Sequence, residues 1–327
     1  YVLPFLFTGF VLIGVSLVQT NNRRTDMEMS ASQWFIFAAT LWLPWMLGAA
    51  YLLIHFFDAK GVMANIVDWW FVHNFTKIYL TFIALGVIGH FSTSLTGREV
   101  LGRGHATFAF WVMLLFGSVG GVPLGAPVPA WLPALSTVSA VFYFVGAVAI
   151  WHALCQTQKG ASVLDEADRG SFVIMRLSLI IFATVALLDV FFAFPGPGSS
   201  AEFTTYVPSI SKLYQLGFVG LVLVSALYHI YPRLAGLSFC SRITKLQTSA
   251  LILGVFGATL PSALGGLMSG DAVLGSGFYF ASVGDLLLLL ASLLLFVNFL
   301  GATVIAIKRC ECITSLFGKG EEKEANA

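Results

Sequence analysis

Long apolar runs separated by short polar stretches extend from the start of the chain to about residue 307. A membrane-spanning helix needs about 20 mostly apolar residues, and these runs are too long and unbroken for the strands of a membrane barrel. Because hydrocarbon offers the backbone no hydrogen-bond partner, each run is predicted to be a helix. The nine predicted helices cover residues 2–19, 33–57, 68–91, 106–121, 131–155, 172–194, 208–231, 247–269 and 277–307.

This pattern predicts an all-α, polytopic membrane helix bundle over residues 1–310, followed by a charged tail over residues 311–327. The composition agrees, since 58% of the residues are hydrophobic and 10% are charged, whereas soluble proteins carry about 25% charged residues. The net charge of +1 gives no reason to expect a nucleic-acid partner. Cys310 and Cys312 lack the ligand spacing of a zinc site and are predicted to lie in the solvated tail.

The basic residues predict an orientation in the membrane. One set of connections carries nearly all of them, and the opposite set carries only Lys60. Lysine and arginine are enriched in cytoplasmic loops, so the C-terminus is predicted to be cytoplasmic and Tyr1 external. No cleavable signal peptide is predicted at the start. The basic residues on the predicted cytoplasmic side are Arg23, Arg24, Arg98, Arg103, Lys159, Arg169, Arg176, Arg233, Arg242, Lys245, Lys308, Arg309, Lys319 and Lys323.

The third predicted helix opens with Trp69 and Trp70, which are expected to anchor it at the membrane interface. His73 follows about one turn inside the hydrocarbon, and Lys77 lies four residues further on the same helical face. Ionisable side chains at this depth are costly, so they indicate a function or a charged partner.

Five ionisable residues are predicted to lie at similar depth in the outer third of the bilayer. Asp189 comes late in an outward-running helix, and Asp285 comes early in an inward-running one. Opposite charges at equal depth predict a buried ionic cluster. A proton relay and snorkelling toward the outer surface are the alternatives. The predicted cluster consists of His73, Lys77, Asp189, Lys212 and Asp285.

Several stretches, in this order and spacing, resemble the haem–copper oxidase superfamily, specifically the catalytic subunit I of cbb-type oxidases. The large subunit of nitric oxide reductase is a more distant relative. The resemblance covers nearly the whole chain and implies that the nine helices correspond to the last nine of the family's twelve. The stretches are Gln33-Trp34, Leu43-Pro44-Trp45, Gly61-Val62-Met63, Val67-Asp68-Trp69-Trp70-Phe71-Val72-His73-Asn74, Ala126-Pro127-Val128-Pro129-Ala130-Trp131 and Tyr228-His229-Ile230-Tyr231-Pro232-Arg233-Leu234.

The resemblance also implies where the metal ligands of the family fall in this sequence. Of the three copper-binding histidines, one falls on His73, and the other two fall on Val122 and Pro123. The family's active-site tyrosine falls near Phe116-Gly117. The His-x-His that holds the two haems falls on Ile210-Ser211-Lys212, and the remaining haem ligand belongs to a helix outside this chain.

One retained histidine cannot form a copper site with three ligands, because Val, Pro and Ile carry no ligating atom and Lys must first lose its proton. The sequence therefore predicts a non-catalytic homologue of subunit I, with no catalytic or cofactor-binding residue, and His73 as the one retained ligand position. Its predicted role is structural or in assembly, within a respiratory electron-transfer complex of the bacterial inner membrane. Other membrane subunits, cytochrome c subunits and lipid are the predicted partners.

Two alternative functions stay open. The chain could be an active haem-binding part of a cytochrome c oxidase or nitric oxide reductase, with haem b or copper held by unconventional ligands. A pair of histidines near the cytoplasmic face could supply them, although these are more simply interpreted as interfacial side chains. The second alternative is a proton or ion conductor built on Lys77, Lys212, Asp189 and Asp285. The histidines near the cytoplasmic face are His90, His105, His152 and His229, while His55 lies near the outer boundary.

Overall fold

The computed structural model describes residues 2–23, 29–97, 100, 103–159, 166–236, 239–268 and 271–324. Every regular element in this part of the chain is helical. The α-helices are α1 Val2–Asn22, α2 Ala31–Tyr51, α3 Val62–Asn74, α4 Thr81–Thr96, α5 Arg103–Gly117, α6 Trp131–Lys159, α7 Glu166–Phe192, α8 Pro195–Ala201, α9 Tyr206–Lys212, α10 Leu221–Ala235, α11 Ser241–Leu267 and α12 Asp271–Glu324.

Three π-helical segments interrupt the α-helical hydrogen-bond pattern without ending the helices. Leu52–Phe56 extends α2, Phe75–Leu80 joins α3 to α4, and Leu213–Gly220 joins α9 to α10. A π-helical turn inserts an extra residue into a helix, so it changes which side chains face the neighbouring helices. Two of these segments contribute side chains to the site described below.

When α3 and α4, and α9 and α10, are each counted as one helix through the π-helical segment that joins them, eight of the described helices are long and apolar enough to cross a membrane. This confirms the predicted all-α, polytopic membrane bundle. The predicted segment 106–121 is the exception, since its helix, α5, has 15 residues and a length of about 22 Å, less than the roughly 30 Å of hydrocarbon. The chain leaves the helix after Gly117 and enters a loop in which Gly121 has a φ of +113°.

The first helices begin and end at residues whose chemistry explains the boundary. Ser30 caps α2: its hydroxyl accepts a hydrogen bond from the backbone of Gln33, and the Gln33 side chain accepts one from the backbone N–H of Ser30. This capping box satisfies two amide groups that a helix start leaves without partners. Gly97 ends α4 with a φ of +64°, a left-handed conformation that glycine adopts without steric cost.

The chain divides into two compact units, Tyr1–Leu223 and Val224–Ala327. Within the first unit, aromatic side chains of α2, α4 and α5 form a core. The rings of Phe35 and Phe82 lie 4.9 Å apart between centroids, and the rings of Phe35 and Phe110 lie 5.3 Å apart. Both pairs are nearly edge-to-face, the arrangement that aromatic quadrupoles favour.

In the second unit, α11 and α12 pack closely through small residues. A Cβ atom added at Gly284 would collide with the backbone of Gly257 and Ala258. Close approach of helix backbones through small residues is typical of membrane proteins, where dispersion contacts drive helix association. Asn298 adds a polar contact, since its side-chain amide donates to the Thr244 hydroxyl at 2.9 Å.

Some sequence predictions fall outside the part of the chain that the structure describes. The last helix continues through the predicted tail as far as Glu324. Arg24 and Arg98 lie outside the described residues. The side chains near the C-terminus also lie outside the description; those named in the sequence analysis are Lys308, Arg309, Cys310, Cys312, Lys319 and Lys323.

Because α11 and α12 pack closely, a larger side chain at Gly284 is predicted to destabilise the protein. The Gly284→Leu variant should lower the free energy of unfolding by about 1–3 kcal/mol, because the added side chain forces the two helices apart. The matched control is Gly301→Leu on the same helix, where an added Cβ meets no atom within 4 Å. Thermal unfolding of the detergent-solubilised protein measures both. Equal losses in the two variants would contradict this packing.

Candidate functional site

A cavity of about 570 Å³ lies within the first unit. Five parts of the chain surround it: α3 with its π-helical extension, the loop after α5, the first turns of α6, the last turns of α7, and the segment from Glu202 into the π-helix after α9. A volume of this size is typical of small-molecule or cofactor sites. The cavity is therefore the candidate functional site.

His73 lines this cavity from the last turn of α3, and the loop after α5 holds its ring. A Cβ atom at Gly120 would lie 2.8 Å from His73 Nε2, and one at Gly121 would lie 2.6 Å from His73 Cβ. Glycine is therefore required at Gly121, also because of its positive φ, and a side chain at Gly120 would displace the ring of His73. The Nε2 atom is buried and makes no hydrogen bond with any described residue.

The neighbouring Asn74 ties this loop to α2 and α3. Its side-chain oxygen accepts a hydrogen bond from Trp42 Nε1 at 3.0 Å, and its amide donates to the carbonyl of Trp70 at 2.9 Å and of Ser118 at 3.2 Å. Trp70 Nε1 also donates to the Ser118 carbonyl, at 2.9 Å. Asn74 is fully buried, so this network fixes where the loop leaves α5.

Glu202 fixes the other end of the loop. Its two carboxylate oxygens accept hydrogen bonds from the backbone N–H groups of Leu124 and Gly125, at 2.8 and 2.9 Å. Charge-assisted bonds of this kind are among the stronger hydrogen bonds in proteins. The sequence analysis did not identify Glu202. The sequence did contain a feature that could have indicated its role, because Glu202 is the one charged residue in the connection 193–205.

Lys77 and Asp189 form an ion pair that lines the same cavity. The ammonium nitrogen of Lys77 also lies over two aromatic rings, 4.6 Å from the centroid of Tyr214 and 5.6 Å from that of Tyr143. Both distances are within the range of cation–π attraction. Lys77 lies in the π-helical segment Phe75–Leu80 and Tyr214 in the segment Leu213–Gly220, and such segments are frequent at functional sites.

Hydrogen bonds hold both rings in place around Lys77. The Tyr143 hydroxyl donates to the backbone carbonyl of Lys77 at 2.9 Å. The Tyr214 hydroxyl lies 2.5 Å from the hydroxyl of Thr81, which itself donates to the carbonyl of Thr76 at 2.7 Å. The cage formed by Tyr143, Tyr214 and Asp189 is called the ammonium cage below.

The structure thus brings His73, Lys77 and Asp189 to one cavity. Lys212 ends α9 beside the cavity-lining Ser211, and its half-buried side chain is not among the described lining residues. Asp285 lies on α12 in the second unit, with an exposed side chain. The ionic cluster of all five residues stays a prediction.

Most of the positions at which the resemblance places the family's metal ligands lie at this cavity. Val122, Pro123 and Ile210 line it together with His73, whereas the remaining position, Lys212, is not among its described lining residues. Phe116 lies near the position that the resemblance implies for the family's tyrosine, and its ring stacks on Phe142 with 4.4 Å between centroids. The side chains at these positions therefore differ in chemistry from the ligands that the resemblance implies.

The residues at these positions do not fit the copper or haem of the family. Copper needs several nitrogen or sulfur donors, and no group of three or more His, Cys, Asp or Glu side chains that could hold a metal occurs among the described residues. Val122, Pro123 and Ile210 have no side-chain donor atom. Lys212 must lose its proton before it can bind a metal, and His73 Nε2 is buried, with Gly120 so close that a Cβ there would lie 2.8 Å from it.

None of the other histidines is among the described residues that line this cavity. His55, His90, His105 and His152 are exposed. The ring of His55 lies 4.5 Å from that of Tyr51 between centroids, at a tilted angle. His229 belongs to the second unit, where its Nδ1 lies 2.7 Å from a guanidinium nitrogen of Arg233. The haem held by two of these histidines stays an alternative prediction.

Comparison with known proteins agrees with the framework described above. The family model for cytochrome c and quinol oxidase polypeptide I matches residues 1–273 of the 327-residue chain. No curated protein matches the chain. The matched region contains the whole cavity and every position at which a family ligand falls. The chain therefore belongs to the cytochrome c and quinol oxidase polypeptide I family, within the haem–copper oxidase superfamily.

Proposed function

We propose that this chain is a non-catalytic subunit, built on the polypeptide I framework, with a structural or assembly role in a respiratory electron-transfer complex. The observation that carries the proposal is the cavity. Three of the positions at which the resemblance places the family's ligands line it beside His73, but they hold Val122, Pro123 and Ile210. A framework kept without its donor atoms favours a role in holding other subunits over a role in oxygen or nitric oxide chemistry.

The proposed setting is a bacterial inner membrane, with the C-terminus in the cytoplasm. Lys60, the one basic residue of the predicted external connections, forms an exposed ion pair with Asp58 at 2.6 Å. Its charge is thus compensated locally, and the positive charge of the chain lies on the predicted cytoplasmic side. Other membrane subunits, cytochrome c subunits and lipid are the proposed partners.

The first prediction concerns haem and copper content. The purified protein should contain far less than one haem and one copper per chain, because the donor set is incomplete. A pyridine haemochrome spectrum and elemental analysis measure both. The His73→Ala variant is the control and should give the same contents. Stoichiometric haem b with a high-spin signal in the native chain, lost in His73→Ala, would contradict the proposal.

The second prediction concerns the Lys77/Asp189 pair as a structural element. The side chains are 16% and 33% exposed, so removing one partner should cost about 1–3 kcal/mol, less than for a fully buried pair. Lys77→Met and Asp189→Leu should each destabilise the protein, and the double variant should recover most of the loss, since apolar residues replace such pairs at little cost. Thermal unfolding measures this, and additive losses would contradict it.

Proton or ion conduction is a second candidate function, favoured by the position of the Lys77/Asp189 pair on the wall of a cavity. If the chain conducts protons, liposomes that contain it should show a proton flux that falls in the Lys77→Met and Lys212→Met variants. A pH-sensitive dye inside the liposomes measures this flux. A flux equal to that of protein-free liposomes would remove this candidate.

A further inference from the structure

The ammonium cage has the composition of a receptor for an organic cation. It offers one carboxylate, Asp189, and the faces of two aromatic rings, Tyr143 and Tyr214, around the nitrogen of Lys77. We propose that the ammonium cage is a binding site for a primary alkylammonium ion, occupied in the native protein by the side chain of Lys77. This site is separate from the family's ligand positions and does not depend on the proposed role of the protein.

The geometry of the cage is fixed by groups other than the charge that it binds. The Tyr143 hydroxyl is anchored on the backbone of residue 77, so this contact survives any change of the side chain there. The Tyr214 hydroxyl is anchored on Thr81. The Tyr214 ring also packs against Phe218, with 5.4 Å between centroids, and is almost fully buried. The cage should therefore keep its shape when the Lys77 side chain is shortened.

The charges around the cavity favour a cation in this place. Asp68, Asp189 and Glu202 line the cavity, whereas Lys77 is the one lysine or arginine among its described lining residues. Without Lys77, Asp189 would be left partly buried in the membrane without a described counter-charge, which is energetically costly. A cation bound in the cage supplies the counter-charge that Asp189 needs.

The chemistry of the cage selects an organic ammonium over a metal ion. Metal ions such as copper and zinc take several nitrogen, sulfur or oxygen ligands, and the cage supplies one carboxylate. Aromatic faces instead attract ammonium groups, which carry hydrogen-bond donors and an apolar stem. The matching ligand is a short primary amine in its protonated form.

The adjoining cavity provides room for a free amine to reach the cage, because Lys77 and Asp189 both line it. Truncating Lys77 to Ala removes three carbons and the ammonium nitrogen, which is the composition of n-propylammonium. This ion is therefore the probe that matches the deleted part of the side chain.

The test is rescue of the Lys77→Ala variant by n-propylammonium chloride. Purified Lys77→Ala protein should unfold at a lower temperature than the native protein. Addition of n-propylammonium should raise its Tm progressively with concentration, as expected for a ligand that binds the folded state. The same concentrations of n-propanol and of sodium chloride should give no comparable rise, since n-propanol has no positive charge and the sodium ion has no alkyl chain.

Three control proteins make the test specific to the cage. The native protein should show no rise, because Lys77 already fills the site, and Lys77→Met should show none, because its side chain takes up the space. The double variant Lys77→Ala/Asp189→Asn should also lose the response to the amine. Equal rescue by n-propanol, rescue of Lys77→Met, or no rescue of Lys77→Ala would each overturn the proposal.

If Lys77→Ala does not stay folded through purification, the readout becomes the yield of monodisperse protein. Membranes are solubilised and chromatographed in n-propylammonium chloride, in n-propanol or in sodium chloride at equal concentration. A higher yield in n-propylammonium alone supports the site, and equal yields in the three buffers overturn it.

Discussion

A charged side chain inside a membrane needs a counter-charge beside it, and this constraint organises the first unit. The ammonium group of Lys77 meets Asp189 on another helix and two aromatic rings on two further segments. Four segments that are distant in sequence are thereby held around one point. The cavity next to this point owes its walls to the same segments, so the pair and the cavity are parts of one arrangement.

The loop after α5 explains how a metal-site framework persists with different residues at the ligand positions. Asn74 and Glu202 hold its two ends by hydrogen bonds to backbone groups, and the glycines between them pack against the ring of His73. These contacts do not depend on a bound metal. His73 therefore packs closely against this loop, as the proposed non-catalytic role requires.

The sequence was sufficient to predict the helices, because runs of about 20 apolar residues leave the backbone few other solutions. It was insufficient for α5, which ends at Gly117, before the loop in which Gly121 has a positive φ. It placed Lys77 and Asp189 at one depth, but did not predict the cage, since Tyr214 lies in a π-helical segment and Tyr143 comes from the separate helix α6. The role of Glu202 depends on two loops meeting, which no local pattern encodes.

The most direct test of this account is an experimental density map of the first unit in the native membrane protein. The account predicts continuous side-chain density in which Gly120 and Gly121 pack on His73 and Lys77 meets Asp189 between Tyr143 and Tyr214. A porphyrin in the cavity, with its iron held by His73 or by a residue of α9, would contradict it.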